Sequence, residues 1–232
     1  MAASFRTLLA AAVLALAQLP AAAMEFHAVG DTLVLSGPVV GDDLVRLRNH
    51  LAAGRFKLVL LHESPGGDLW NGYQVGNRIR DEGLPTAVSG KCESACALIF
   101  LAGVQRSFTD GRPLARTMVG LHGAHSVETR RSMTELSPRM AYMIRTMTDR
   151  KYPDDLLERT VYPRHPEDIV YAFHPARYDT PGRGVVECLK QPDISFKCTM
   201  LQGHDALGIG VITHPEVLML PADVKQLLER LP

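Results

Sequence analysis

From Thr32 onward, apolar runs short enough to be strands alternate with stretches whose apolar residues recur at helical spacing. "TLVLSG" is followed by "DDLVRLRNHLAAG", "KLVLLHE" by "LWNGYQVGNRIRDEG", and "PTAVSG" by "SACALIFLAG", with Gly54, Gly83 and Gly103 closing the three helical stretches. A fourth strand, "ARTMVGLHG", precedes a long helix, "MTELSPRMAYMIRTMTDR", whose proline stands near its beginning. A helix that carries the chain back between strands makes those strands parallel, so the pattern predicts an α/β domain with a largely parallel sheet. From about Tyr152 to Cys198 the chain is rich in Pro, Arg and Asp and gives no clear elements. "PADVKQLLERL" predicts an amphipathic terminal helix packed on the domain.

The N-terminus stands outside this alternation. Arg6, the apolar "LLAAAVLALAQL" and the small-residue run "PAAAM" make the pattern of a secretory signal peptide cut after Ala23. Its apolar core of 12 residues, Leu8 to Leu19, is shorter than the roughly 20 a membrane span needs. The expectation is a periplasmic or secreted protein with no stable membrane span after cleavage. Residues 1–23 are then signal peptide, 24–178 the α/β domain, and 179–232 a C-terminal extension packed on it. Lys and Arg number 25 and Asp and Glu 25, a balance that points away from nucleic acid as a partner. Four cysteines in an exported chain suit disulfides. Cys188 and Cys198 enclose a short polar loop and are expected to pair. Cys92 and Cys96, four apart, are either a local bridge or two small buried hydrophobes.

In such sheets ligands gather at the carboxyl ends of the strands, where loops surround a crevice and the sheet fixes their position. Three ends carry chemistry-bearing residues. Gly66 and Gly67 follow the second strand, Ser94 lies between the third strand and its helix, and His122 ends the fourth. A serine that opens an apolar helix has its hydroxyl near unpaired N–H groups, which favour developing negative charge; equally, it can be a plain N-cap. His122 is a candidate general base for Ser94, with His125 in "HGAH" as its rival. The N–H groups of Gly67 and Ala95 are candidate oxyanion donors. A zinc site from Cys92, Cys96, His122 and His125 has usable ligand types, but 25 residues separate Cys96 from His122, more than common finger spacing. No metal or other cofactor is expected.

The order "LVLSGPV", "LVLLHESPGGDLWNG", "GKCESACALIFLAGVQR", "MVGLHGAH" resembles the Clp protease proteolytic subunit and its exported relatives in the Clp/crotonase superfamily. The match runs from Thr32 to His122 and continues more loosely to about Tyr178. The resemblance implies a ClpP/crotonase-like spiral of βαβ units and a serine peptidase acting on peptide or protein substrates. It implies Ser94 as nucleophile, His122 as base, Gly67 and Ala95 as oxyanion donors, and a homo-oligomer whose interface no segment specifies. For the acidic triad member it points to "HPEDIVYAFHP", where Asp168 is chosen, with Glu167, Asp155 and Asp154 as rivals. The cysteines flanking Ser94 depart from the family, the chain past Tyr178 has no counterpart in it, and the sequences that meet an unfolding ATPase are not evident. An exported protein has no ATP for such a partner. Enolate chemistry of the crotonase kind would need coenzyme A, which such a protein would not meet. A binding module that keeps the cleft and has lost the chemistry is the alternative reading.

Overall fold

A computed structural model of the protein describes residues 23–126, 128–178 and 180–232. The expected signal peptide lies, except for Ala23, outside the described residues. The elements in chain order are strands β1 (Glu25–Val29) and β2 (Thr32–Ser36), helix α1 (Asp43–Ala53), β3 (Leu58–Ser64), α2 (Leu69–Asp81), β4 (Thr86–Glu93), α3 (Ala95–Ala102), β5 (Arg106–Phe108) and β6 (Met118–Leu121). After these come α4 (Ser137–Met147), α5 (Asp154–Val161), β7 (Ile169–Ala172), β8 (Val185–Lys190), β9 (Phe196–Met200) and α6 (Ala222–Leu228).

The chain is a mixed α/β fold. One sheet runs in the order β1-β2-β3-β4-β6-β7-β8-β9, with β5 also paired to β4. Pairings among β2, β3, β4, β5 and β6 are parallel, as the strand–helix alternation requires, while β1 and the β7-β8-β9 meander add antiparallel strands at the two ends. The central strands are apolar without alternation because both faces are covered. Leu33, Leu35, Val59, Leu61 and Val88 belong to the main core on the helical side. Val34, Leu60 and Ala87 point the other way and are covered by Leu220, Val224 and Leu228 of the C-terminal segment. Among the described residues no helix is long and apolar enough to cross a membrane.

Three local features aim the strand ends at one place. First, β4 is shared: Thr86–Val88 pair with β5, and Lys91–Glu93 with β6. Between them Gly90 takes φ 79°, and a side chain there would meet the Glu63 carboxylate. Second, β3 shifts register against β4 between His62 and Ser64, with Glu63 at φ 40°; one residue of β3 stands there against Gly90 and Lys91, so β4 carries the extra residue. Third, all eight residues of α3 are buried, as expected of a helix apolar on every side. It sits close to α2 because Gly72 and Gly76 leave room for Ala95 and Ala102; a Cβ on either glycine would lie 2.9 or 3.0 Å from those methyls.

The 3-residue β5, β1 and the β7–β9 meander are elements that the sequence reading does not resolve, so His122 ends the sixth strand rather than the fourth. The long helix expected around Pro138 begins only at Ser137, preceded by a 3₁₀ turn over Thr134–Leu136, and proline occupies its first turn. Beyond Tyr178, β8 and β9 extend the common sheet, and Ile209, Val211 and Ile212 enter the main core.

Candidate functional site

Ser94 joins β4 to α3 with φ 58° and ψ −125°, a conformation that a non-glycine residue adopts only where its surroundings impose it. The imposition is visible. The Ser94 N–H donates to the Gly120 carbonyl of β6 at 2.9 Å, and its own carbonyl accepts from Ala97 at 2.9 Å to start the helix. Cys92 and Cys96 are both buried and joined by a disulfide, which closes a small ring around the turn. The local bridge is thus the realised alternative for this pair, and neither cysteine can be a metal ligand. No group of three or more candidate metal ligands occurs among the described residues. Glu93 adds a further tether by accepting from the Tyr171 hydroxyl of β7 at 2.9 Å. The Ser94 side chain does not cap α3, so its hydroxyl is left for the cleft it faces.

The glycine pair packs directly on this turn. Gly66 has φ 82°, and a Cβ there would lie 2.4 Å from the Glu93 carbonyl and 2.6 Å from the Ser94 Cβ. Gly67 has φ 145°, and its Cβ would lie 2.3 Å from the Val39 carbonyl. Val39 donates to the Gly66 carbonyl at 2.8 Å and accepts from Asp68 N–H at 2.9 Å. That parallel bridge uses the groups on either side of Gly67 and turns the Gly67 N–H away from Val39. Among the described residues neither the Gly67 nor the Ala95 N–H has a hydrogen-bond acceptor. Asp68, the next residue, caps α2 by accepting from Asn71 N–H.

His122 lies across the same cleft, a space of about 790 Å³ lined also by Gly66, Gly67, Ser94 and His125, with apolar walls from α3 and α4. Its Nδ1 is 2.7 Å from the Gly123 carbonyl oxygen. A carbonyl only accepts, so Nδ1 carries the hydrogen and Nε2 keeps its lone pair, the form a general base needs. Burial lowers the pKa of His122 below the usual histidine value, opposed by the Gly123 carbonyl and aided by His125, whose ring centroid is 5.1 Å away. Among the described residues no direct hydrogen bond joins Ser94 to His122; such contacts tighten when substrate closes a site.

The structure does not bring Asp168 to His122. Asp168 is buried, but its two oxygens accept backbone N–H groups, from His165 at 2.9 Å and Lys190 at 2.8 Å. The reason is local: Asp168 stands just before β7, where its side chain is taken up by the main chain of its own turn and of the end of β8, while Ile169 and Tyr171 line a cavity with His122. Of its rivals, Glu167 reaches that cavity but is paired with Arg130 and Lys190, each at 2.8 Å. Asp154 and Asp155 pair with Arg145 and Arg159 on the exposed side of α5. The group that meets Nδ1 is a main-chain carbonyl, which no side-chain pattern announces. Cys188 and Cys198 face each other across β8 and β9 and form the second disulfide.

Replacing Gly67 by alanine forces the loop off Val39 and moves its N–H. If the Gly67 N–H serves as an oxyanion donor, as proposed below, the expected result is a loss of about 10² to 10³ in kcat, measured by steady-state kinetics on protein checked for an intact fold.

No protein-family model matches the chain, and no curated protein matches it. Among solved structures it is similar to a serine-to-alanine mutant of 1510-N, a membrane-bound stomatin-specific protease, at 12% identity and a TM-score of 0.45, covering 85% of this chain and 81% of that one. It is similar also to an asparagine-to-aspartate mutant of ClpP1 from Listeria monocytogenes, at 13% identity and a TM-score of 0.49, covering 84% of this chain and 94% of that one. The functional reading of this chain therefore rests on its own geometry.

Proposed function

We propose that this chain is an exported serine hydrolase of the peptidase type. Ser94 is the nucleophile, His122 the general base and then the general acid, and the N–H groups of Gly67 and Ala95 bind the oxyanion. The observation that carries the reading is Ser94 itself: a serine held at positive φ at the head of a buried helix, not used as a cap, and facing His122 across one cleft. His122 Nε2 takes the Ser94 proton as Oγ attacks the substrate carbonyl. The tetrahedral oxyanion falls to the two N–H groups, and the imidazolium then gives its proton to the leaving amine. Water repeats the sequence on the acyl-enzyme. The Gly123 carbonyl does the orienting that a carboxylate does in a triad; being uncharged, it stabilises the imidazolium less. The two disulfides suit an oxidising compartment, in keeping with export under a signal peptide at residues 1–23.

The test is turnover of p-nitrophenyl acetate and of a peptide mixture as a function of pH. Because the His122 pKa is lowered, its base form persists below the usual value of 6.5, and activity is lost as pH falls through the lowered pKa. The acidic limb of kcat/KM is therefore expected to have its midpoint below pH 6.5. A folded protein with no turnover at any pH would favour the binding module.

A further inference from the structure

A second cavity, of about 380 Å³, adjoins the cleft and shares His122 and His125 with it, but holds neither Ser94 nor Gly67. Its walls are Ile169 and Tyr171 of β7, the Cys188–Cys198 disulfide and Phe196 of β9. Apart from the histidines, this is a pocket built by the antiparallel end of the sheet. Phe196 is 47% exposed, so its ring stands at the rim of this pocket, open to a ligand. Lys190 holds the ring in place, with its Nζ 4.6 Å from the ring centre, and Lys190 is itself fixed by Glu167.

Resting on the hydrolase reading, we infer that this cavity is the subsite for the leaving-group half of the substrate, and that it selects an apolar side chain on the residue directly after the scissile bond. The argument is one of proton delivery. The imidazole that takes the Ser94 proton must hand it to the leaving nitrogen, so the departing segment lies against His122. The acyl half is bound where the oxyanion donors are, in the larger cleft. The space that continues past His122, away from Ser94 and Gly67, is the one the departing segment enters, and its walls are aliphatic, aromatic and disulfide surface. Glu167 at its edge is ion-paired with Lys190 and Arg130, so its charge is compensated, and what disfavours an acidic residue in this space is the apolar wall, against which a carboxylate would lose its hydration.

The experiment uses two peptides with the same acyl half and either leucine or aspartate directly after the cleaved bond, with p-nitrophenyl acetate as a substrate that has no such residue. The wild-type protein is expected to favour the leucine peptide in kcat/KM by about tenfold or more, the discrimination one apolar contact supplies. Phe196→Ser, at a half-exposed position on an edge strand, removes the apolar wall without adding charge and is expected to bring the ratio towards one. Ester hydrolysis with equal rates on the two peptides, or a ratio unchanged in Phe196→Ser, would overturn the subsite and leave the hydrolase standing. No Ser94-dependent hydrolysis of the ester or of either peptide would remove the hydrolase reading, and this inference with it.

Discussion

Ser94→Ala is expected to lower kcat by about 10⁴ to 10⁶ while leaving the fold as it is, because the nucleophile of a serine hydrolase acts as a unit with its base and little of that unit survives without it. The serine hydroxyl makes no capping bond, so its removal deletes no structural interaction. The substitution also keeps a Cβ in the φ 58° turn, so the backbone strain is the same in both proteins. Steady-state kinetics on esters and peptides, beside thermal unfolding of the same samples, measure the two halves of the expectation. A variant with wild-type turnover would remove Ser94 from the chemistry.

The second large effect is on stability. Arg106 opens β5 and is almost wholly buried, and among the described residues it forms no direct ion pair, Asp149 acting on it only at a distance. Its guanidinium instead donates to four carbonyls: Leu101 at 3.3 Å and Gly103 at 2.9 Å at the end of α3, and Gly210 at 2.9 Å and Val211 at 3.0 Å in the C-terminal segment. Two of these carbonyls are the free ends left where α3 stops, and their negative dipole favours a cation. Burial still lowers the Arg106 pKa to about 10, well above any working pH, so the charge remains. Arg106→Met keeps much of the volume and leaves four buried carbonyls without their donor. The expected loss is about 3–5 kcal/mol, read from urea unfolding. Since α3 follows directly on Ser94, the variant should also lose activity at temperatures below its unfolding transition. A change within about 0.5 kcal/mol would mean that water or local rearrangement replaces the guanidinium.

What could be read from the sequence follows from which physical signals survive in a string of residues. The central strands and α1, α2, α3 and α6 are legible because burial forces a period on them: continuous apolar runs for β2 and β3, helical spacing for "DDLVRLRNHLAAG", an all-apolar stretch for α3. From that much, the strand-end rule places Gly67, Ser94 and His122 near one another, and they do line one cleft. β9 is illegible for the opposite reason: four of its five residues are exposed, so although "FKCTM" alternates apolar with polar, the pattern is short and buries no face in the core. β5, with three residues, is too short to show a period.

Asp168 shows a different limit. Its position in the sequence is close to His122 in space, because β7 pairs antiparallel with β6, with Val170 opposite Leu121. Where its side chain goes is decided by the main-chain N–H groups of His165 and Lys190 that take both its oxygens, partners that no residue pattern announces. The Gly123 carbonyl and the contact of Gly66 with the Ser94 turn belong to the backbone, which leaves no residue-type signature beyond the glycines themselves. The Cys92–Cys96 bridge could be suspected from spacing, but only the β4–α3 turn shows that it encircles the serine.

The most direct measurement is fluorophosphonate labelling of the purified protein beside its Ser94→Ala variant, with peptide mapping of the adduct. An activated serine in an intact oxyanion site predicts one adduct, on Ser94, absent from the variant and suppressed in acid as His122 becomes protonated. Well-folded protein that takes no label, or takes it equally in both forms, would contradict the account.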